Sequence, residues 1–266
     1  MTARVFHFDR AIVREPAQSV VGGLRTGSEA PRYDRVLAEH RAYVAALEAA
    51  GVAVDILPPL LDHPDSVFVE DPAFVLTEGA ILLRPGAPSR LGESASLAAA
   101  LHRHFAHVAL LDEGFVDGGD ILVLPDEILV GLSARTDAAG ARRFAHLVGE
   151  LGRTVRIVEP PRGLLHLKTG CALVDEGTIL AAPPLAPLFP GYKVLQTPDG
   201  ETGAANLIRA NDRVLMASAF PATAALLAEH GLRLVRLEAS EIAKIDAGLS
   251  CMSLRWFSGS GSSDRA

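Results

Sequence analysis

A carboxyl-terminal segment, GLSCMSLRW at 248–256, carries a cysteine flanked by polar residues. Cys251 follows a glycine and a serine and precedes Met252 and Ser253, so its thiol is predicted to lie at a junction between a loop and a strand. A thiolate in such a place can act as a nucleophile. Burial as a small hydrophobic residue is the ordinary alternative for a free cysteine. Cys251 is therefore a candidate nucleophile whose support must come from the rest of the chain.

The other cysteine of the chain provides the contrast. Cys171 lies in the segment KTGCALV among apolar residues, and this pattern predicts a small buried hydrophobic residue. Two cysteines 80 positions apart match neither a disulfide scaffold nor a zinc site. Such cysteine usage is typical of a reducing compartment.

Charged residues and one histidine interrupt apolar segments at several other places. They are Asp65, Glu70 and Asp71 around a predicted strand in HPDSVFVEDPAFVL, Asp117 and Asp120 beside two glycines in FVDGGDILVL, His166 in LLHLKTG, Arg90 in RPGAPSR and Arg135 in GLSARTD. Each type has an ordinary alternative. The histidine can be a hydrogen-bonded core residue, the acidic residues can form turns, and the arginines can lie on the solvated surface.

Together these side chains predict one kind of chemistry. A thiol, an imidazole, carboxylates and arginines are not grouped by ligand type as metal ligands are, so we expect no metal site. The set suits a cysteine nucleophile that acts on a cationic substrate resembling an amino acid. Carboxylates would bind the cation, arginines would bind the substrate carboxylate through two parallel bonds, and histidine would move protons.

Composition sets limits on the partners of this chain. With 266 residues it can bury a large core, as one big domain or two small ones. A formal charge of −7 argues against nucleic acid, whose binders present a basic face, and leaves a small molecule as the expected partner. No apolar run approaches the ~20 residues of a membrane span, and residues 1–16 lack a signal-like apolar stretch. We therefore expect no membrane partner and a cytoplasmic location.

The elements that must position these side chains follow a repeated pattern. Four segments are predicted to be a strand, a tight polar turn and a second strand, with turns near Gly79, Asp126, Glu176 and Asp212. The turns are roughly 36 to 50 residues apart, a spacing typical of propellers and stacked arrays. Helical patterns that end at glycine follow the second and fourth hairpins, in SARTDAAGARRFAHLVGELG and FPATAALLAEHG.

A fifth unit is predicted from the two ends of the sequence. FHFDRAIVR would be its hairpin, and MSLRWF would return beside it as a further strand, which would remove an unpaired sheet edge. The competing fold is a doubly wound α/β sheet, but its strands alternate singly with helices, whereas here they come in pairs. No GxGxxG motif opens a helix and no P-loop is present, so a dinucleotide is not expected. We predict a pseudo-symmetric domain of ββαβ units over residues 1–258 and a disordered tail over residues 259–266.

Six segments together resemble one family, the dimethylarginine dimethylaminohydrolases. They are HPDSVFVEDPAFVL, RPGAPSRLGE, the acidic-Gly-Gly-Asp element at Asp117, GLSARTDAAGA, LLHLKTG and GLSCMSLRW. They occur in order from about Phe8 to Phe257, so the resemblance covers nearly the whole chain. It implies a guanidino-group-modifying enzyme with a five-bladed α/β propeller and no metal or organic cofactor. That fold class agrees with the repeated hairpins.

The resemblance also implies a role for each candidate residue. Cys251 would be the nucleophile, His166 the general acid and base, and Asp117 a further catalytic residue. The substrate would contact Asp71 and Asp117 at the guanidinium, Arg90 and Arg135 at the α-carboxylate, Asp65 near the α-amino group, Glu70 in the same site, Leu24 in a flexible lid of sequence VVGGLRTGS, and the backbone near Ile245. Asp117 departs from bacterial relatives, which commonly carry glutamate, while animal relatives carry aspartate.

The implied reaction is hydrolysis of asymmetric dimethylarginine and monomethylarginine to citrulline and the corresponding amine, through a covalent S-alkylthiouronium on Cys251. Two alternatives stay open. One is an arginine deiminase, although those enzymes look longer because of an inserted helical domain. The other is a non-catalytic protein that binds cationic amino acids. The sequence decides neither methylation preference nor oligomeric state, so a homodimer is also left open.

Overall fold

The structure, a computed structural model, describes residues 5–259, and the strands within this range form five sheets of three strands each. The strands are β1 (Arg10–Arg14), β2 (Ala53–Leu57), β3 (Ala73–Leu76), β4 (Gly79–Leu82), β5 (Val108–Leu110), β6 (Ile121–Val123), β7 (Ile128–Gly131), β8 (Val155–Val158), β9 (Cys171–Asp175), β10 (Thr178–Ala181), β11 (Lys193–Gln196), β12 (Ile208–Ala210), β13 (Arg213–Ala217), β14 (Arg233–Leu237) and β15 (Leu254–Trp256). The α-helices are α1 (Tyr33–Ala49), α2 (Ala98–His104), α3 (Ala138–Glu150), α4 (Pro221–Glu229) and α5 (Ser240–Ala243). Short 3₁₀ helices occupy Gln18–Gly22, Pro88–Arg90, Ser94–Leu97, Gly118–Asp120, Leu167–Thr169, Pro183–Leu188, Thr202–Ala205 and Leu249–Met252.

Four of the five sheets are built from consecutive strands. In each, the first two strands form an antiparallel hairpin and the third strand runs parallel to the second. In β3-β4-β5, Phe74 lies opposite Ile81, which in turn lies opposite Ala109. An α-helix connects the second strand to the third in three of these four sheets. The predicted ββαβ units and the five-bladed α/β propeller are therefore confirmed.

The sheet β9-β10-β11 differs in its connection. Its crossover is the 3₁₀ helix Pro183–Leu188 rather than an α-helix. Pro183, Pro184 and Pro187 lack the backbone N–H groups that an α-helix uses, and proline rings clash with the preceding turn. The short crossover nevertheless returns β11 to a position parallel to β10, with Leu180 opposite Leu195.

The fifth sheet joins the two ends of the described chain. β15 runs antiparallel to β1, with Ala11 opposite Arg255, and β2 runs parallel to β1 on its other side. The predicted return of MSLRWF is confirmed, but the prediction that FHFDRAIVR is a hairpin is wrong. Only Arg10–Arg14 is a strand in that segment, because its antiparallel partner comes from β15 instead of from the same segment.

A second correction concerns the acidic segment before β3. We expected a strand around Asp65, Glu70 and Asp71, but residues 61–72 form turns, and the strand begins at Ala73. The backbone N–H of Phe68 donates to the carbonyl of Asp65 at 2.9 Å, as in a tight turn. The turn leaves the acidic side chains on a loop instead of alternating across a sheet.

Helix α3 shows how the local sequence sets one crossover. Asp137 caps its first turn by accepting a hydrogen bond from the backbone N–H of Gly140 at 2.7 Å. A Cβ atom at Gly140 would lie 2.4 Å from the carbonyl oxygen of Phe115, so only glycine lets the helix approach this loop. Phe144 then packs edge-on against Phe74, with ring centroids 5.1 Å apart. The helix is thereby fixed on two sheets.

No helix within residues 5–259 has both the length and the apolar character that crossing a membrane requires. The tail predicted at residues 259–266 lies outside the described residues, apart from residue 259. The predicted boundary between domain and tail therefore stays a prediction.

Replacing Trp256 by alanine tests whether β15 closes the propeller. Trp256 is buried and packs on Phe105 at 4.9 Å between ring centroids. We expect Trp256→Ala to lower the free energy of unfolding by about 3 to 5 kcal/mol, measured by urea denaturation. Leu110→Ala is the matched control, since Leu110 is exposed on β5, and should cost less than about 0.5 kcal/mol. Equal effects of the two changes would show that this contact does not hold the ring closed.

Candidate active site

A cavity of about 160 Å³ contains nine of the ten predicted site residues. Its lining includes Leu24, Asp65, Asp71, Arg90, Asp117, Arg135, His166, Ile245 and Cys251. These residues are far apart in the sequence, and the fold brings them to one place. The candidate site is therefore this cavity.

Four of these residues lie two to five residues before a strand, each in a different sheet. Asp71 precedes β3, Asp117 precedes β6, His166 precedes β9 and Cys251 precedes β15. In each case the side chain belongs to the loop that enters the first strand of an antiparallel pair. The approximate symmetry of the propeller explains why four separate loops converge on the same cavity.

The imidazole of His166 lies close to two carboxylates. Its Nε2 atom is 2.9 Å from Oδ2 of Asp117, and a ring nitrogen lies within 4.8 Å of a carboxylate oxygen of Asp71. Burial alone would lower the pKa of His166, but the charge of Asp71 and the hydrogen bond to Asp117 outweigh it and raise the pKa to about 9. The imidazole is therefore protonated at neutral pH, and Nε2 donates to Asp117.

The two glycines after Asp117 allow this close arrangement. A Cβ atom at Gly119 would lie 2.6 Å from Nδ1 of His166, so the backbone is in contact with the ring. The backbone N–H of Gly119 also donates to Oδ1 of Asp71 at 2.9 Å. One glycine thus packs against the imidazole and orients a carboxylate.

Asp120 positions the loops around the site without lining the cavity. Its Oδ1 accepts from the backbone N–H of Leu167 at 2.9 Å, and its Oδ2 accepts from Ser133 at 2.6 Å and Thr136 at 2.7 Å. The carboxylate therefore ties the segment of His166 to the loop that carries Arg135. The FVDGGDILVL motif singled out Asp120 but assigned it no role.

Most N–H donors of Arg90 are bound to acceptors of the protein. Nη1 donates to Asp71, while Nε and Nη2 donate to Glu93 at 3.0 and 2.7 Å. Burial alone would raise the pKa of Asp71, but Arg90 and then His166 lower it below its ordinary value. Arg90 thus keeps a buried carboxylate ionised. Glu93 was not predicted, although its position three residues after Arg90 is a common spacing for an ion pair.

Arg135 contrasts with Arg90. It is half-buried at the cavity, and among the described residues its guanidinium has neither an ion pair nor a hydrogen bond with a protein acceptor. Nearby, Oδ1 of Asp65 accepts from the backbone N–H of Leu24 at 2.9 Å. Burial raises the pKa of Asp65, and the charge of Arg90 opposes this effect. This end of the cavity offers a cation and an anion side by side.

The thiol of Cys251 is held in its protonated form. Burial is the main cause, and the negative charges of Glu70 and Asp71 add to it, so that the pKa of Cys251 rises to about 11. The residue lies in the 3₁₀ helix Leu249–Met252 immediately before β15, at the predicted junction between loop and strand. Cys171 is completely buried in β9, as predicted, and burial raises its pKa to about 12.

Glu70 is the one predicted site residue that lies outside the cavity. Its carboxylate pairs with Lys168 at 2.6 Å and Arg255 at 3.3 Å, and it accepts from Ser250 at 3.2 Å. It lines a separate cavity of about 460 Å³ that shares no lining residue with the first. Consecutive side chains on this turn therefore face different cavities, and a substrate contact for Glu70 stays a prediction.

The predicted lid segment around Leu24 contacts the rim of the cavity. The backbone N–H and hydroxyl of Thr26 donate to Asp246 at 2.6 and 2.9 Å. A Cβ atom at Gly23 would lie 3.0 Å from Oδ1 of Asp65 and 3.3 Å from the side chain of Ile245. The segment thus lies over the end of the cavity that Asp65 and Ile245 line, and its flexibility stays a prediction.

Asp71, Asp117 and His166 form a compact group whose potential ligand atoms lie within 4.8 Å of one another. By distance alone such a group could bind a metal ion. The positive charges of His166 and of Arg90, which is bound to Asp71, oppose a divalent cation there. A planar organic cation with N–H donors matches the two carboxylates better, because it can bind them through directed hydrogen bonds.

The chain is similar to known proteins in both sequence and structure. The sequence model of eukaryotic N,N-dimethylarginine dimethylhydrolase matches residues 25–181. N(G),N(G)-dimethylarginine dimethylaminohydrolase from Pseudomonas aeruginosa is 39% identical over 254 residues, which is 94% of this chain and 100% of that protein. The enzyme of the same name from Streptomyces coelicolor is 37% identical over 252 residues, which is 92% of this chain and 96% of that protein.

A solved structure is similar over the same extent. It is that of DDAH from Pseudomonas aeruginosa, a Cys-to-Ser mutant complexed with citrulline. The TM-score is 0.90 at 38% sequence identity, and the match covers 94% of this chain and 100% of that chain. The fold described above is therefore similar to that of a protein of nearly equal length.

The charge state of His166 can be measured by NMR titration of its ring proton signals. We expect a pKa near 9 for His166 in the wild-type protein, and a lower value in Asp117→Asn, because the amide removes a negative charge and an acceptor. Since the folded pKa exceeds the unfolded value of 6.5, the stabilisation is complete below about pH 6.5 and is lost as pH rises through 9. An unchanged pKa of His166 in Asp117→Asn would show that the hydrogen bond to Asp117 does not raise this pKa.

Proposed function

Because this chain belongs to the dimethylarginine dimethylaminohydrolase family, we propose that it hydrolyses Nω-methylated L-arginines to L-citrulline and dimethylamine or methylamine. One observation carries the proposal. A protonated thiol, Cys251, and a protonated imidazole, His166, share a small cavity with the carboxylates of Asp71 and Asp117. This set can bind a cation, attack it and protonate a departing amine.

The substrate guanidinium binds between Asp71 and Asp117, whose carboxylates accept its N–H groups. The amino-acid end extends toward Arg135, which binds the α-carboxylate, and toward Asp65, which binds the α-amino group. Leu24 and Ile245 line that end of the cavity. Arg90 contributes indirectly, because its donors are bound to Asp71 and Glu93. It orients the carboxylate of Asp71 and does not bind the substrate directly.

The binding step prepares the nucleophile. A pKa of about 11 leaves Cys251 almost entirely protonated at neutral pH. A guanidinium cation beside the sulfur offsets the negative charges of Glu70 and Asp71, and so favours loss of the thiol proton to solvent. The thiolate attacks the central guanidinium carbon and forms a C–S bond.

His166 then serves both halves of the reaction. Its proton goes to the departing dimethylamine or methylamine as the C–N bond breaks, which leaves a cationic S-alkylthiouronium on Cys251. The neutral imidazole next removes a proton from water, and the hydroxide adds to the same carbon. Breaking of the C–S bond, with loss of the proton of the added hydroxyl to solvent, releases citrulline and restores the thiolate. Asp71 and Asp117 stabilise the positive charge of the bound guanidinium and of the S-alkylthiouronium.

Two alternatives are distinguished by the products. An arginine deiminase would release ammonia from unmethylated arginine, and a binding protein would release nothing. The near-complete coverage of dimethylarginine hydrolases by this chain disfavours the longer deiminase architecture. Citrulline formation from asymmetric dimethylarginine, monomethylarginine and arginine, assayed side by side, decides among the three. The homodimer and the cytoplasmic location stay predictions.

Replacing the nucleophile tests the mechanism. Cys251→Ser should lower citrulline formation on the order of 10³-fold or more, because a hydroxyl has a much higher pKa than a thiol. Acid-quenched wild-type enzyme should show a substrate adduct on Cys251 by mass spectrometry. Cys171→Ala is the control and should keep nearly full activity, and dialysis against a chelator should leave the wild-type rate unchanged. A citrulline formation rate of Cys251→Ser near that of the wild type would exclude the mechanism.

The two arginines should fail in different ways. Arg135→Ala should raise KM about 10- to 100-fold with normal stability, because it removes a charged hydrogen-bond partner of the substrate. Arg90→Ala should instead lower the free energy of unfolding by about 3 to 5 kcal/mol, since it leaves Asp71 and Glu93 buried without their counter-charge. Steady-state kinetics and urea denaturation separate the two effects. A stable Arg90→Ala protein with only a raised KM would show that Arg90 binds the substrate carboxylate instead.

A further inference from the structure

We propose that Asn206 is a catalytic residue of this site, whose side-chain amide donates a hydrogen bond to the Cys251 sulfur and stabilises the attacking thiolate. The identity of the reaction rests on the proposed function, but the contact itself does not. No sequence motif singled out Asn206. Three features of the structure assign it: its position in the propeller, its contact with the sulfur, and the orientation of its amide.

Asn206 completes a set of polar residues that precede strands around the site. It lies two residues before β12, the first strand of the hairpin β12-β13. Asp71, Asp117, His166 and Cys251 lie two to five residues before the first strand of the other four hairpins or antiparallel pairs. The loops of all five sheets therefore each contribute one polar side chain, and the fifth is an amide.

The amide of Asn206 faces the nucleophile with its donor side. Its Nδ2 atom lies 3.8 Å from Sγ of Cys251. Its Oδ1 atom accepts from the backbone N–H of Ser250 at 3.2 Å. Because a backbone N–H can only donate, the oxygen must face Ser250, and the NH₂ group must then face the sulfur. The residue next to the nucleophile thus sets the orientation of the amide.

The glycine of the GLSC segment makes this approach possible. A Cβ atom at Gly248 would lie 2.3 Å from Cγ and 2.5 Å from Oδ1 of Asn206. The backbone at Gly248 is therefore in direct contact with the amide. The close approach of Asn206 explains why the residue three positions before Cys251 is a glycine, which the sequence alone does not explain.

The thiolate of Cys251 requires a hydrogen-bond donor because its surroundings disfavour the charged form. Burial, Glu70 and Asp71 all disfavour the thiolate and raise the pKa of Cys251 to about 11. Ser250 also lies near the sulfur, with its hydroxyl 4.0 Å from Sγ, but that hydroxyl donates to Glu70 at 3.2 Å. An N–H group that points at sulfur favours the charged form over the neutral one, because the electrostatic attraction grows with the charge.

Alkylation by iodoacetamide tests the contact without any substrate. Rates are followed by intact mass at several pH values below the thiol pKa, and peptide mapping assigns them to Cys251. Asn206→Ala should raise the pKa by about one. The tenfold loss of thiolate is partly offset by higher nucleophilicity, so alkylation should slow about 3-fold. Asn206→Asp should slow it further, because a negative oxygen replaces the donor while Oδ1 still accepts from Ser250.

The matched control is Asn211→Asp, the same change at the other asparagine of the chain. The Asn211 amide donates to the carbonyls of Phe8 and Ala50 at 2.9 and 2.7 Å, so this variant should be less stable but should alkylate at the wild-type rate. A wild-type rate in Asn206→Asp would make Asn206 a support of the loop and overturn the proposal. If Asn206→Asp does not fold, a wild-type rate in Asn206→Ala overturns it equally. Inactivity toward methylarginines would contradict the proposed function and leave the alkylation result standing.

Discussion

The buried charge series Glu93–Arg90–Asp71, continued by His166 and Asp117, is the interaction on which the site depends. An ionised carboxylate removed from water is costly unless a counter-charge and hydrogen bonds accompany it. Arg90 supplies the counter-charge to Asp71, and the backbone of Gly119 supplies a hydrogen bond. The result is a negative centre that exists before any ligand binds, so the protein does not have to reorganise to receive a cation.

The same charges explain the resting state of the nucleophile. The carboxylates that attract a cation also raise the pKa of Cys251 and of His166, so both hold their protons at neutral pH. A thiol is inert and an imidazolium is a ready acid. Only a small fraction of Cys251 is therefore thiolate until a positive ligand changes the field at the sulfur. Electrostatic activation of this kind selects for the charge of the substrate as well as for its shape.

The fold could be predicted from the sequence because its signals are local and repeated. Polar turns between apolar runs indicate four hairpins, and the two strands of each hairpin are adjacent in the sequence. The first unit was misread for the converse reason, since the partner of Arg10–Arg14 is β15, more than two hundred residues away. In the crossover Pro183–Leu188, prolines replace the α-helix of the repeated unit by a 3₁₀ helix.

The site could be predicted from the sequence where the residue type itself indicates a catalytic role, as with Cys251 and His166. It was less predictable where the neighbours decide the role. Glu70 and Asp71 are adjacent acidic residues, yet one pairs with Lys168 outside the cavity and the other faces His166 inside it. The donors of Arg90 are bound to acidic residues, whereas among the described residues those of Arg135 meet no protein acceptor. Spacing in the sequence carries no information on such pairings.

The two carboxylates can serve the protein and a ligand at once. Oδ1 of Asp117 accepts from Gly86 at 2.7 Å and Oδ2 accepts from His166, while the oxygens of Asp71 accept from Gly119 and Arg90. Each carboxylate oxygen has about two acceptor positions, so roughly four of about eight remain. The guanidinium of asymmetric dimethylarginine has only three N–H bonds, because two are replaced by methyl groups. The remaining acceptors thus suffice for a methylated guanidinium although every carboxylate oxygen is already held in place.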